Sequence, residues 1–100
     1  MQDTGLTGQN RMTLENILKR FPAIEQVKLY GSRAKGTYNS RSDIDLVAFG
    51  QGIDRAVIAE VLMDLDDSDI PYLVDLQAYH DLRNPQLIDH VDRVGVVIYP

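Results

Sequence analysis

Apolar positions along the chain fall into alternating helical and strand-like stretches. Leu14, Ile17, Leu18 and Phe21 recur at helical spacing behind Thr13, and Pro22 is expected to end this first helix. Thr13 followed by Asn16 resembles a helix cap without the Glu or Gln of a full capping box. Val27–Tyr30 reads as a short strand, and 31–42 is polar and glycine-containing, as expected of a turn, a short helix and a loop. Asp43–Phe49 is a second strand, ended by Gly50 and Gly52. Asp54 can cap a helix running to about Leu65, with Val57, Ile58, Val61, Leu62 and Leu65 as its buried stripe. Tyr72–Tyr79 is a third strand, entered through Pro71. Pro85 suits a helix start, with Leu87, Ile88 and Val91 on the inner face, and Val94–Tyr99 is a last strand.

This order predicts an α/β (α+β) fold: a mixed sheet of about four strands with helices packed on one face and the other face open for a site. Residues 1–12, polar and glycine-containing, are expected to form a flexible N-terminal arm, and residues 13–100 a single domain.

Composition narrows the class. The chain has 100 residues, 44% hydrophobic and 25% charged, within the range of a soluble globular domain. It contains no cysteine, which removes disulfides, thiolate metal sites and cysteine nucleophiles. The first residues carry no apolar signal-peptide core, and no apolar run reaches the roughly 20 residues of a membrane span, so a cytoplasmic location is expected. A net charge of −5 suits a small anionic ligand held in a local cleft better than a long nucleic acid.

The chemistry concentrates in Gly31-Ser32-Arg33-Ala34-Lys35-Gly36 and Ser42-Asp43-Ile44-Asp45-Leu46. Side chains alternate along a strand, so Asp43 and Asp45 share a face, roughly 7 Å apart. Like charges at roughly 5–7 Å repel by about 2–3 kcal/mol at an effective dielectric near 20. Asp75 lies at the centre of the next strand and joins the pair if the two strands are adjacent. Three carboxylates converging on a sheet are hard to explain without cations, and oxygen-only ligands suit Mg²⁺ or Mn²⁺, with substrate phosphates and water completing the shell. The turn after the first strand supplies an anion site: Gly31 lets the backbone approach a phosphate, and the Ser32 hydroxyl can donate to it. Arg33, Lys35 and Arg41 are nearby cations. Gly31 to Gly36 has the spacing of a P-loop, but the lysine stands at 35 rather than after the second glycine, which argues against that motif.

Gly31-Ser32, ten residues, then Asp43-Ile44-Asp45 resembles the signature of the DNA polymerase β-like nucleotidyltransferase superfamily. The string GSRAKGTYNSRSDIDL resembles in particular its small MNT branch, the antitoxins paired with HEPN-domain toxins, and also the core of aminoglycoside nucleotidyltransferases. The resemblance implies that Ser32 contacts nucleotide phosphate and that Asp43 and Asp45 hold two Mg²⁺ ions. It also implies that Asp75 completes the metal site or takes the acceptor proton. It implies ATP or another nucleoside triphosphate as donor and, since the chain has room for little beyond a catalytic core, a HEPN toxin as the AMP acceptor. The alternatives are an antitoxin that neutralises its partner by contact alone and a small-molecule nucleotidyltransferase.

Other residues have plainer readings. Asp64, Asp66, Asp67 and Asp69 lack the glycine and glutamate of a calcium loop and read as a solvated helix end. His80 and His90 read as surface or capping residues rather than metal ligands, and Tyr30, Tyr72, Tyr79 and Tyr99 as packing. Tyr38, in the polar loop, could contact a nucleotide or partner, but loop packing is the favoured reading.

Overall fold

A computed structural model describes residues 6–31, 33, 36 and 43–100. Among these, the elements in order are α1 (Gly8–Leu18), β1 (Gln26–Tyr30), β2 (Ile44–Phe49), α2 (Arg55–Asp66), β3 (Val74–Ala78), a 3₁₀ turn (Tyr79–Asp81), α3 (Pro85–Val94) and β4 (Val96–Tyr99). The sheet has the order β3-β2-β1-β4. β1 is antiparallel to both β2 and β4, while β2 and β3 are parallel. The mixed four-stranded sheet is the architecture expected from the sequence.

Helix starts follow local chemistry. The Asp54 carboxylate accepts from the Val57 backbone N–H at 2.9 Å, capping α2 as expected. Asn84 caps α3 by accepting from the Gln86 N–H at 2.9 Å, with Pro85 in the first turn where no intrahelical N–H partner is needed. The first helix departs from the sequence reading. It begins at Gly8, capped by the Thr7 hydroxyl, which accepts from Asn10 N–H at 3.0 Å. Residues 8–12, read as part of a loose arm, are therefore helical, and Thr13 sits inside the helix with its hydroxyl donating to Gln9 O at 3.0 Å. The helix also stops at Leu18, short of Pro22.

Alternation along the strands divides the core. One sheet face presents Val27, Leu29, Ile44, Leu46, Ala48, Leu76 and Ala78, all buried beneath Leu14, Ile17 and Leu18 of α1 and Val61 and Leu65 of α2. Val57, Ile58 and Leu62 flank that contact, which completes the expected stripe of α2. On the opposite face, Tyr30, Val47, Leu82 and Val91 form a second buried cluster with Phe49, Tyr79, Leu87 and Ile88 around it. Helices on one face is thus right for α1 and α2 and not for α3, which covers part of the face expected to be open. The apolar stripe of α3 states that one of its sides is buried, not against which side of the sheet. No described helix is long and apolar enough to cross a membrane.

Candidate active site

The pairing of three strands builds the site. Tyr30 of β1 lies opposite Asp45 of β2, and Asp45 lies beside Asp75 of β3. Residues paired across strands point to the same face, so Tyr30, Asp45 and Asp75 form one cross-strand row. Adjacency of β2 and β3 was the condition for Asp75 to join Asp45, and the parallel register meets it. Asp43 lies one residue before β2 and is exposed, as is Asp75, whereas Asp45 is half-buried between them. The following Ile44 is anchored by its N–H donating to Leu73 O at 2.9 Å, which ties the start of β2 to the segment leading into β3.

The electrostatics are those of crowded acids. Burial raises the Asp45 carboxyl above its ordinary value, with Asp75 and then Asp43 adding to the rise and His90 opposing it. The Tyr30 phenol is also raised, first by burial and then by Asp75 and Asp45. Gln77, on the same face two residues after Asp75, bridges the row: its Nε2 donates to Tyr30 Oη at 3.2 Å and lies 3.4 Å from Asp75 Oδ2. Neither Tyr30, read as packing, nor Gln77 was singled out by sequence reasoning. The available signal was positional, because Gln77 shares the face of Asp75 by strand alternation.

Gly31 stands over Asp45. Its φ of +79° is a conformation that residues with a side chain rarely adopt, and a Cβ added there would meet Asp45 Oδ2 at 2.5 Å. The φ favours glycine, and a Cβ would in addition oblige the end of the Asp45 side chain to move. The Gly31 N–H, however, does not point to open space. It donates to His90 Nε2 of α3 at 3.0 Å, so the imidazole is a capping group for the turn. The ring of Tyr30 meets His90 edge-on, with centroids 6.1 Å apart. His80 is engaged elsewhere, with Nε2 3.1 Å from Ile53 O.

Arg33 is buried rather than solvated. Its side chain is 1% exposed, and the guanidinium lies 4.3 Å from the centroid of the Tyr72 ring. This is a buried cation–π contact joining the turn to the approach of β3. Ser32, Lys35, Tyr38 and Arg41 lie outside the described residues.

Among the described residues, no three acidic or imidazole side chains stand close enough to form a ready-made metal cage. The donor chemistry nonetheless fits a divalent cation. Asp45 and Asp75 offer oxygens from adjacent strands, and the Asp45 carboxyl is raised first by burial and then by Asp75 and Asp43, a cost to its charged form that a cation would relieve. Mg²⁺ typically uses one or two carboxylates and takes its other ligands from substrate phosphates and water.

A mixed sheet with an acidic row beneath a glycine turn is the framework of a nucleotidyl-transfer domain. The polymerase beta nucleotidyltransferase family profile matches residues 12–100, and the chain belongs to that family. Among solved structures, it is similar to a toxin–antitoxin complex with AMP-PNP, at 23% identity over 89% of this chain and 72% of the other, with a TM-score of 0.73. An MntA–HepT toxin–antitoxin complex matches at 19% identity over 92% of this chain and 71% of the other, with a TM-score of 0.67. A tri-AMPylated Shewanella oneidensis HEPN toxin in complex with MNT antitoxin matches at 19% identity over 88% and 71%, with a TM-score of 0.59. These likenesses establish the shared fold. A sequence search among proteins of curated function finds no significant match.

Proposed function

We propose that this chain is an antitoxin that transfers AMP from ATP to a hydroxyl group of a HEPN-domain partner, with Mg²⁺ or Mn²⁺ as cofactor. The observation that carries the reading is the row in which Asp45 and Asp75 stand side by side on parallel strands, below Gly31 and next to Asp43. Family membership supports the nucleotidyl-transfer chemistry. The AMPylated toxin in complex with MNT antitoxin supports the choice of acceptor.

In this reading Asp43 and Asp45 hold the cation, and Asp75 either completes its shell or receives the acceptor proton. When bound, the cation supplies charge neutralisation to the phosphates and to the pyrophosphate leaving group. The acceptor oxygen forms a bond to the α-phosphorus as the bond from that phosphorus to the bridging oxygen breaks. Pyrophosphate departs, and the hydroxyl proton passes to Asp75 or to water. Gly31 admits the turn close to Asp45, while Ser32, Lys35 and Arg41 are assigned to the triphosphate by the sequence motif. Arg33, buried on Tyr72, is assigned instead to holding that turn.

The test is mass spectrometry of a co-expressed HEPN partner after incubation with ATP and Mg²⁺. The expected result is a mass increase of one or more AMP groups, lost with Asp45→Asn in a chain that still folds. A stable complex with no added mass would replace this reading with neutralisation by contact. Transfer to an aminoglycoside and not to the protein would replace the acceptor.

A further inference from the structure

The Gly31–His90 contact has no counterpart in the sequence motif. His90 is 59 positions away, on a helix that packs against the site's side of the sheet. The next residue, Val91, is fully buried in the second cluster, so the helix carrying the imidazole is fixed to the sheet. Nε2 accepts from Gly31 N–H. The position a Cβ on Gly31 would occupy lies 2.5 Å from Asp45 Oδ2, so the turn passes close to that carboxylate. Gly31 therefore has its amide engaged by an imidazole and its Cα side close to a carboxylate.

We infer that His90 is a positioning residue for nucleotidyl transfer: by accepting the Gly31 amide hydrogen, it fixes the start of the turn against Asp45. This rests on the transfer reading above. The Tyr30 ring, edge-on to the imidazole, links His90 to the Tyr30–Asp45–Asp75 row. Without the acceptor, the turn and the carboxylate lose their common reference. Misplacement of reacting groups by about 1 Å can cost roughly a hundredfold in rate.

Two variants separate positioning from packing. His90→Leu keeps bulk and removes the acceptor, whereas Gln in His90→Gln can bring an amide oxygen to the place of Nε2. In the wild-type chain, ¹⁵N NMR is expected to show a scalar coupling across the N–H···N bond from Gly31 to the His90 ring. In the transfer assay, His90→Leu is expected to lower kcat by about ten- to a hundredfold, more than it raises KM for ATP. His90→Gln is expected to recover most of that loss. Absence of the coupling, or equal transfer by wild type and His90→Leu, overturns the inference. Equal losses in both variants, tracking a common fall in Tm, also overturn it by assigning His90 to packing alone. A folded wild-type chain that transfers AMP to no acceptor is a different result, because it removes the transfer reading itself and the positioning role with it.

Discussion

Replacing Asp45 by asparagine is expected to stabilise the metal-free protein at neutral pH. The substitution keeps the shape of the side chain and removes the charge from the middle of the row. Adjacent strands are about 4.8 Å apart, which puts the Asp45 and Asp75 carboxylates roughly 5–6 Å from each other. At an effective dielectric near 20, the repulsion is about 3 kcal/mol. Asp75 and Asp43 are exposed, so solvent and salt reduce the realised figure to about 1 kcal/mol. For a domain of 100 residues this corresponds to a Tm rise of about 4–8 °C. Its pH dependence has a definite sign. The folded carboxyl is raised above 3.8, so the folded state holds a proton more tightly than the unfolded chain does. Wild-type stability therefore falls as pH rises from the unfolded value through the folded one, and the full cost is present above both. The advantage of Asp45→Asn is expected to be complete at pH 7 and to shrink towards zero as pH falls to the ordinary carboxyl value. Thermal unfolding of both chains in EDTA across this range measures it. Adding Mg²⁺ is expected to raise the Tm of the wild type more than that of the variant. An Asp45→Asn chain less stable than wild type at pH 7 in EDTA, or one whose advantage is undiminished in acid, would refute the reasoning.

Five other substitutions probe separate parts of the structure. Gly31→Ala forces a positive φ on a residue with a side chain and drives its Cβ against Asp45 Oδ2; a loss of about 1–3 kcal/mol is expected by urea unfolding, with transfer abolished. Tyr30→Phe and Gln77→Leu each break the bridge over Asp75; steady-state kinetics are expected to show a lower kcat for transfer, with Tm changed by only a few degrees. Arg33→Met removes the charge stacked on Tyr72 from a buried position, and chemical denaturation is expected to show destabilisation of about 1–3 kcal/mol. Asp54→Ala removes the α2 cap and is expected to cost about 1 kcal/mol by the same measurement, without changing transfer per folded molecule.

The parts of the fold that were legible in the sequence are those where periodicity and a cap coincide. Asp54 followed by a repeating apolar stripe defines α2, and a helix between two apolar strands permits the parallel β2–β3 pairing that brings Asp75 beside Asp45. The start of α1 was not legible, because Gly8 to Arg11 is polar on every side and shows no helical period; only the Thr7 hydroxyl marks the boundary. Tyr30 packs in the second cluster as read, but a strand pattern gives a face and not its cross-strand neighbours, and only register puts the ring beside two acids. The burial of Arg33 against Tyr72 was not legible, because a chain-distant contact carries no local signature.

The position of α3 was the least legible feature, and it connects the energetics of the row to its chemistry. Burial, and then Asp75 and Asp43, disfavour the charged form of Asp45, which raises the free energy of the folded state. On that face, the buried apolar contacts of Val47, Leu82 and Val91 hold α3 against the sheet, and α3 presents His90 to the Gly31 amide. A helix stacked with the other two on the far face would leave this amide without an imidazole partner and the acidic row without a wall. Partial covering by α3 therefore serves a strained site better than a fully open sheet: apolar burial at Val91 offsets the charge repulsion, while Asp75 and Asp43 remain exposed to a ligand.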